Sequence, residues 1–207
     1  MFAKDQADNR GMRVRPLLGV VALLVASTIP AHAGVPDPRN STADTCMVIS
    51  PAGAFPYKVT VKDEAAAPVA GVQVVLDFTP ATGMNLCDQS DPNHDRRIVG
   101  TTDLNGTFTF YVRGGGQSTG YVVVSAFAQT IVLAHVRSLD LNGDLAVTAA
   151  DVSAHQALPA NSLAGDYNCD GVTDAADRAI LSAEVGQDCN TTPVLDSTWG
   201  ALKASYR

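Results

Sequence analysis

The residues best placed to do chemistry lie in two twelve-residue segments. Residues 140–151 read Asp-Leu-Asn-Gly-Asp-Leu-Ala-Val-Thr-Ala-Ala-Asp and residues 166–177 read Asp-Tyr-Asn-Cys-Asp-Gly-Val-Thr-Asp-Ala-Ala-Asp, an internal repeat offset by 26 residues. Oxygen-bearing side chains fall at positions 1, 3, 5, 9 and 12 of each: Asp140, Asn142, Asp144, Thr148 and Asp151, then Asp166, Asn168, Asp170, Asp174 and Asp177. At position 7, Ala146 and Val172 offer a main-chain carbonyl. A tightly curled loop turns alternate residues inward, and a large, hard cation accepts six to eight oxygens at flexible angles. The implied cofactor is therefore calcium, one ion per loop and two in all. Magnesium wants stricter octahedral geometry and more water, and transition metals want His or Cys. At this chain's own frequencies of Asp (19 of 207 residues) and of Asp plus Asn (28 of 207), the pattern at positions 1, 3, 5 and 12 arises by chance roughly 0.03 times. It occurs twice, in tandem. For either segment alone, the competing reading is an Asx-rich turn capping a short helix.

Charge makes the expected ion structural as well as functional. Residues 138–190 hold nine acidic residues and one basic residue, Arg178. Two carboxylates about 4 Å apart repel by roughly 4 kcal/mol at an effective dielectric of 20. Chelation is expected to loosen residues 138–188 and leave the preceding part of the chain folded. The second loop has four carboxylates against three, and Gly171 at position 6 where the first has Leu145, so it is expected to bind more tightly.

The elements around these loops are mostly strands. Tyr57-Lys58-Val59-Thr60-Val61-Lys62 and Thr107-Phe108-Thr109-Phe110-Tyr111-Val112-Arg113 alternate with period two, and residues 71–78, 121–127 and 130–136 add further β-branched runs. Turn signals separate them: Pro68 and Gly71, an Asp103-Leu104-Asn105-Gly106 hairpin, and Gly114-Gly115-Gly116. Six or seven short strands in about 100 residues predict a β-sandwich. After each loop a short helix follows. The first is stopped by Pro159, with Val152 and Leu158 as its apolar face; the second carries Ile180, Leu181 and Val185.

Composition bounds the remainder. The 21 acidic residues divide as nineteen Asp and two Glu (Glu64 and Glu184), a skew toward turns, caps and hard-cation ligands and away from a helical bundle. A formal charge of −7 argues against nucleic acid as a partner. At the N-terminus Lys4, Arg10, Arg13 and Arg15 precede an apolar run over residues 17–29 and then Ala31-His32-Ala33. This is the pattern of a secretory signal cleaved after Ala33, too short for a retained membrane span, and it implies a secreted, extracellular or cell-surface protein. In that compartment Cys46, Cys87, Cys169 and Cys189 are expected as two disulfides. Pairing Cys46 with Cys87 and Cys169 with Cys189 keeps each bridge within one module. The connection over residues 79–97 holds Asp88, Asp91, His94 and Asp95, read as a polar surface loop rather than a catalytic or cation site. The tail over residues 191–207 places Trp199, Leu202 and Tyr206 at helical spacing, either packing on its own protein or serving as a docking peptide.

Two resemblances follow from these residues. Val61-Lys62-Asp63, Pro68-Val69-Ala70-Gly71-Val72-Gln73-Val74 and Thr102-Asp103-Leu104-Asn105-Gly106-Thr107 resemble the bacterial Ig-like domains of surface and secreted proteins, which implies a spacer or binding platform. The two loops, each followed by a helix but without an incoming one and closed by Asp rather than Glu, resemble a type I dockerin, an EF-hand-like module. That family attaches polysaccharide-degrading proteins to cohesin domains, and its calcium ligands match the ten side chains named above position for position. Its partner-contact positions are Ala149-Ala150 and Ala175-Ala176 here. The expected organisation is multi-domain: a signal peptide over residues 1–33, an all-β Ig-like sandwich over 34–137, a small α dockerin-like module with two EF-hand-type calcium loops over 138–188, and a tail over 189–207. The expected function is non-catalytic, calcium-dependent attachment to a cohesin-like protein. The alternatives are an accessory role in a glycoside hydrolase system, meeting polysaccharide only indirectly, and a module that caps its own β-sandwich. No pair of catalytic carboxylates is evident in residues 34–137.

Overall fold

The computed structural model describes residues 34–87 and 96–191, all within one compact unit. The expected signal peptide, the acidic loop with Asp88, Asp91, His94 and Asp95, and the tail with Trp199, Leu202 and Tyr206 lie outside the described residues. The described chain is mostly β, with ten strands and two short α-helices. The strands are β1 (Thr42–Ala43), β2 (Cys46–Ile49), β3 (Pro56–Thr60), β4 (Gln73–Asp77), β5 (Met84–Leu86), β6 (Arg97–Thr101), β7 (Thr107–Tyr111), β8 (Gly114–Gly116), β9 (Tyr121–Ala126) and β10 (Gln129–Ser138). The helices are α1 (Ala149–Gln156) and α2 (Ala175–Ala183), with a 3-10 turn at Leu163–Gly165 between them. Among the described residues no helix is long and apolar enough to cross a membrane.

The period-two runs form strands because alternation lets one face of each be buried. Tyr57 and Val59 of β3, Val74 and Leu76 of β4, and Val122, Val124 and Ala126 of β9 point into a common core with Met47, Ile49, Phe78 and Phe110. Each Val, Leu, Ile, Met or Phe among these contributes roughly 1.5–3 kcal/mol on leaving water. The strands sort into a three-stranded sheet of order β1-β3-β7 and a five-stranded sheet of order β2-β10-β9-β4-β6. Pairing is antiparallel except between β2 and β10, where Cys46 lies opposite His135 and Ile49 opposite Ser138. The result is a sandwich-like arrangement.

Three expectations change. The Asp103–Gly106 turn forms, with Gly106 N donating to Asp103 O at 3.0 Å, but it joins β6 of one sheet to β7 of the other and so is not a hairpin. The Gly114-Gly115-Gly116 run is not a turn but strand β8, paired with β5 in a separate two-stranded ribbon. The disulfides link Cys46 to Cys169 and Cys87 to Cys189, spanning 123 and 102 residues. Both bridge the sandwich to the repeat segment, because that segment folds back and sets Cys169 beside the start of β2 and Cys189 beside the end of β5.

The expected boundary at residue 137 falls inside β10, which runs without a break to Ser138 and delivers the chain into the first loop. Beyond it lies a second, small core of Leu139, Val147, Tyr167 and Leu181. Val48 of β2 and Phe55 complete it from the sandwich side, and Val152 of α1 and Ile180 of α2 from the helices. Leu181 is fully buried, whereas Val185, expected on the same apolar face, is exposed.

Candidate metal centre

The two loops fold to the same plan. Position 1 (Asp140, Asp166) and position 12 (Asp151, Asp177) are fully buried carboxylates. Asp140 accepts from the main-chain N–H of Gly143 at 2.7 Å and of Leu145 at 2.8 Å. Asp166 likewise accepts from Asp170 at 3.0 Å and Gly171 at 2.8 Å. Asp151 accepts from the N–H groups of Leu141, Asn142 and Thr148, and Asp177 from those of Tyr167, Asn168 and Asp174. These bonds curl each loop by tying its end to its beginning.

Position 6 needs a left-handed backbone. Gly171 takes it at φ 91°, and Leu145 takes it at φ 66° despite its side chain. The departure seen in sequence therefore leaves the loop's path unchanged and stores strain, about 1–2 kcal/mol for a left-handed non-glycine residue.

Positions 9 and 12 also start the helices. Thr148 and Asp174 are N-caps, and with Asp151 and Asp177 three residues on they form complete capping boxes. The Asx-turn reading is thus present in the fold alongside any metal role. Asn142 and Asn168 are exposed and donate to Asp144 and Asp170 at 2.9 and 2.8 Å. Ala146 and Val172 lie at position 7, where their N–H groups donate to Asp144 and Asp170.

Burial pushes the Asp140 carboxyl above its ordinary range; hydrogen bonds from Leu145 and Gly143 oppose this, and the charges of Asp151 and Asp144 add to it. The donor set is hard oxygen throughout, which fits a divalent cation such as calcium. Among the described residues, however, no three His, Cys, Asp or Glu side chains gather into a metal-holding group. Asp151 receives four hydrogen bonds, one of them from the Thr148 hydroxyl, and so must release a donor to serve as a ligand; Asn142 N at 3.3 Å is the longest. Asp140 accepts two and keeps free lone pairs.

Three features escaped the sequence reading. Arg137, buried at the end of β10, donates to Asp166 O and pairs with Asp166 Oδ2 at 2.8 Å; a charged residue interrupting an apolar strand just before a loop was its only signal. Gly115 lies so close to Asp140 that a Cβ there would stand 1.8 Å from Oδ2. The His155 and Tyr167 rings lie tilted against each other beside the small core, centroids 5.4 Å apart, with His155 Nε2 bonded to Gly165 O at 3.0 Å. The first loop is further held by Gly116 N on Asp140 O, Asn85 Nδ2 on Gly143 O and Gln117 Nε2 on Leu141 O.

Elsewhere, a cleft of about 740 Å³ beside β1 and β3 is bordered by Asp44, Phe55, Lys58 and the Cys46–Cys169 bridge. Its Tyr57 hydroxyl donates to Asp44 O, and burial raises its pKa so that it stays protonated. No family model and no curated protein matches the chain. Its two disulfides are compatible with an extracellular setting.

Proposed function

We propose that this is a secreted, non-catalytic, calcium-binding protein in which an Ig-like β-sandwich carries a dockerin-like pair of loops. The observation behind the reading is the repeated network of buried carboxylates at positions 1 and 12, with Arg137 the one buried cation paired to them among the described residues. Asp140, Asn142, Asp144, Thr148 and Asp151 would hold one ion, with the Ala146 carbonyl. Asp166, Asn168, Asp170, Asp174 and Asp177 would hold the other, with the Val172 carbonyl. When bound, the ions neutralise the mutual repulsion of these groups.

Within this reading the module acts first as a cap on its own sandwich. Two disulfides and a shared small core favour that role, since a freely projecting adaptor needs neither. Calcium-dependent attachment to a cohesin-like partner is the second reading. It is favoured by the exposure of Ala149, Ala150, Ala175 and Ala176 at the start of both helices.

Calorimetric titration of chelator-stripped protein with calcium tests the metal. Two bound ions are expected, and a variant with Asp144→Ala and Asp170→Ala should take up neither; absence of heat in the wild type ends the reading. A pull-down from the source's secreted proteins with and without calcium then separates the roles. A calcium-dependent protein partner supports attachment, and a thermal shift by calcium without a partner supports the cap.

A further inference from the structure

We infer that Arg137 is a built-in counter-cation of the second loop, so that this loop holds its shape without metal and binds calcium more weakly than the first. The inference rests on the calcium reading above. Asp140 and Asp166 are equivalent, fully buried, and each takes two main-chain hydrogen bonds. They differ in what faces Oδ2. At Asp166 it is the Arg137 guanidinium, 2.8 Å away, whose Nη1 also donates to Asp166 O at 2.6 Å. Arg137 is itself buried, and Asp166 is the carboxylate with which it forms an ion pair among the described residues. At Asp140 it is Gly115 of β8, where even a Cβ does not fit. No basic side chain forms an ion pair with Asp140, Asp144 or Asp151 among the described residues.

Counting carboxylates alone ranks the second loop first, with Asp166, Asp170, Asp174 and Asp177 against Asp140, Asp144 and Asp151. One guanidinium cancels one of the four and leaves both loops at −3. The remaining difference opposes the second loop, because a fixed, desolvated cation repels an incoming divalent ion and occupies an oxygen of its position-1 ligand. Arg137 comes from the sandwich, so the sandwich sets the loop's metal dependence. Without metal, the first loop's carboxylates are met by neutral donors, namely backbone N–H groups, the Asn142 side-chain amide and the Thr148 hydroxyl.

Calcium titrations of Asp170→Ala, which leaves the first loop, and Asp144→Ala, which leaves the second, test the ranking. The first loop is expected to bind at least tenfold tighter. Adding Arg137→Met to Asp144→Ala should tighten the second loop at least tenfold. Arg137→Met alone should lose thermal stability in chelator and regain it in calcium. A second loop as tight as the first, or an Arg137→Met loss equal with and without calcium, overturns the inference. Should Arg137→Met fail to fold, the two single-loop variants decide by themselves. A wild type that takes up no calcium refutes the metal reading itself, whereas uptake with the second loop tighter refutes only the role of Arg137.

Discussion

Gly115 and Gly171 are glycines for different physical reasons, and the difference is measurable. Gly171 sits at φ 91° with open space around its would-be Cβ, so Gly171→Ala meets only backbone strain. Gly115 has an ordinary backbone, but its would-be Cβ lies 1.8 Å from a fully buried carboxylate. Urea denaturation in chelator should show a loss of about 1–2 kcal/mol for Gly171→Ala. For Gly115→Ala the loss should be about 3 kcal/mol, because Asp140 and its loop must move. Equal losses would contradict the close approach of β8 to the first loop. Leu145 belongs to the first kind of position and tolerates it, so the turn is specified more by the Asp140 hydrogen bonds than by residue type at position 6.

At the scale of elements, the helices were legible because their signals are local. Thr148 with Asp151 and Asp174 with Asp177 form the capping boxes, and α1 stops at Gln156, shortly before Pro159. Since the same residues are proposed ligands, the two roles must be separated by condition. In chelator, Thr148→Ala and Asp174→Ala should each cost about 1 kcal/mol through loss of the cap. In saturating calcium each should cost more, and circular dichroism melts under both conditions check this. A cost unchanged by calcium leaves capping as their whole role. Strand β8 was not legible. Three glycines carry turn statistics, and what makes them a strand is a partner, Met84–Leu86, some thirty residues earlier, together with the loop pressed against them.

For the whole molecule the consequence is coupling. Sequence reasoning expects chelation to loosen residues 138–188 and spare the sandwich. Yet Val48 and Phe55 complete the small core, Arg137 reaches Asp166, and two disulfides cross between the parts. Calorimetry should therefore show a single unfolding transition that moves to lower temperature in chelator, and two separable transitions would contradict this. Replacing Cys87 and Cys189 by Ala should cost roughly 4 kcal/mol, since that bridge closes a loop of 102 residues. In that variant, chelation should begin to act on the repeat segment separately.

The sequence by itself determined what depends on neighbours along the chain: the period-two strands, the duplicated oxygen pattern, the caps and the helix stop. Spacing of a few residues fixes backbone turns and buried faces, and the 26-residue repeat fixed two loops of one design. The tertiary structure alone decided the disulfide partners, the docking of Asp140 on Gly115 and the pairing of Arg137 with Asp166. Four cysteines allow three pairings, and nothing local distinguishes them. The choice is made when the repeat segment folds back to bury Leu139, Val147, Tyr167 and Leu181 against the sandwich, and that burial is a property of surfaces distant in sequence.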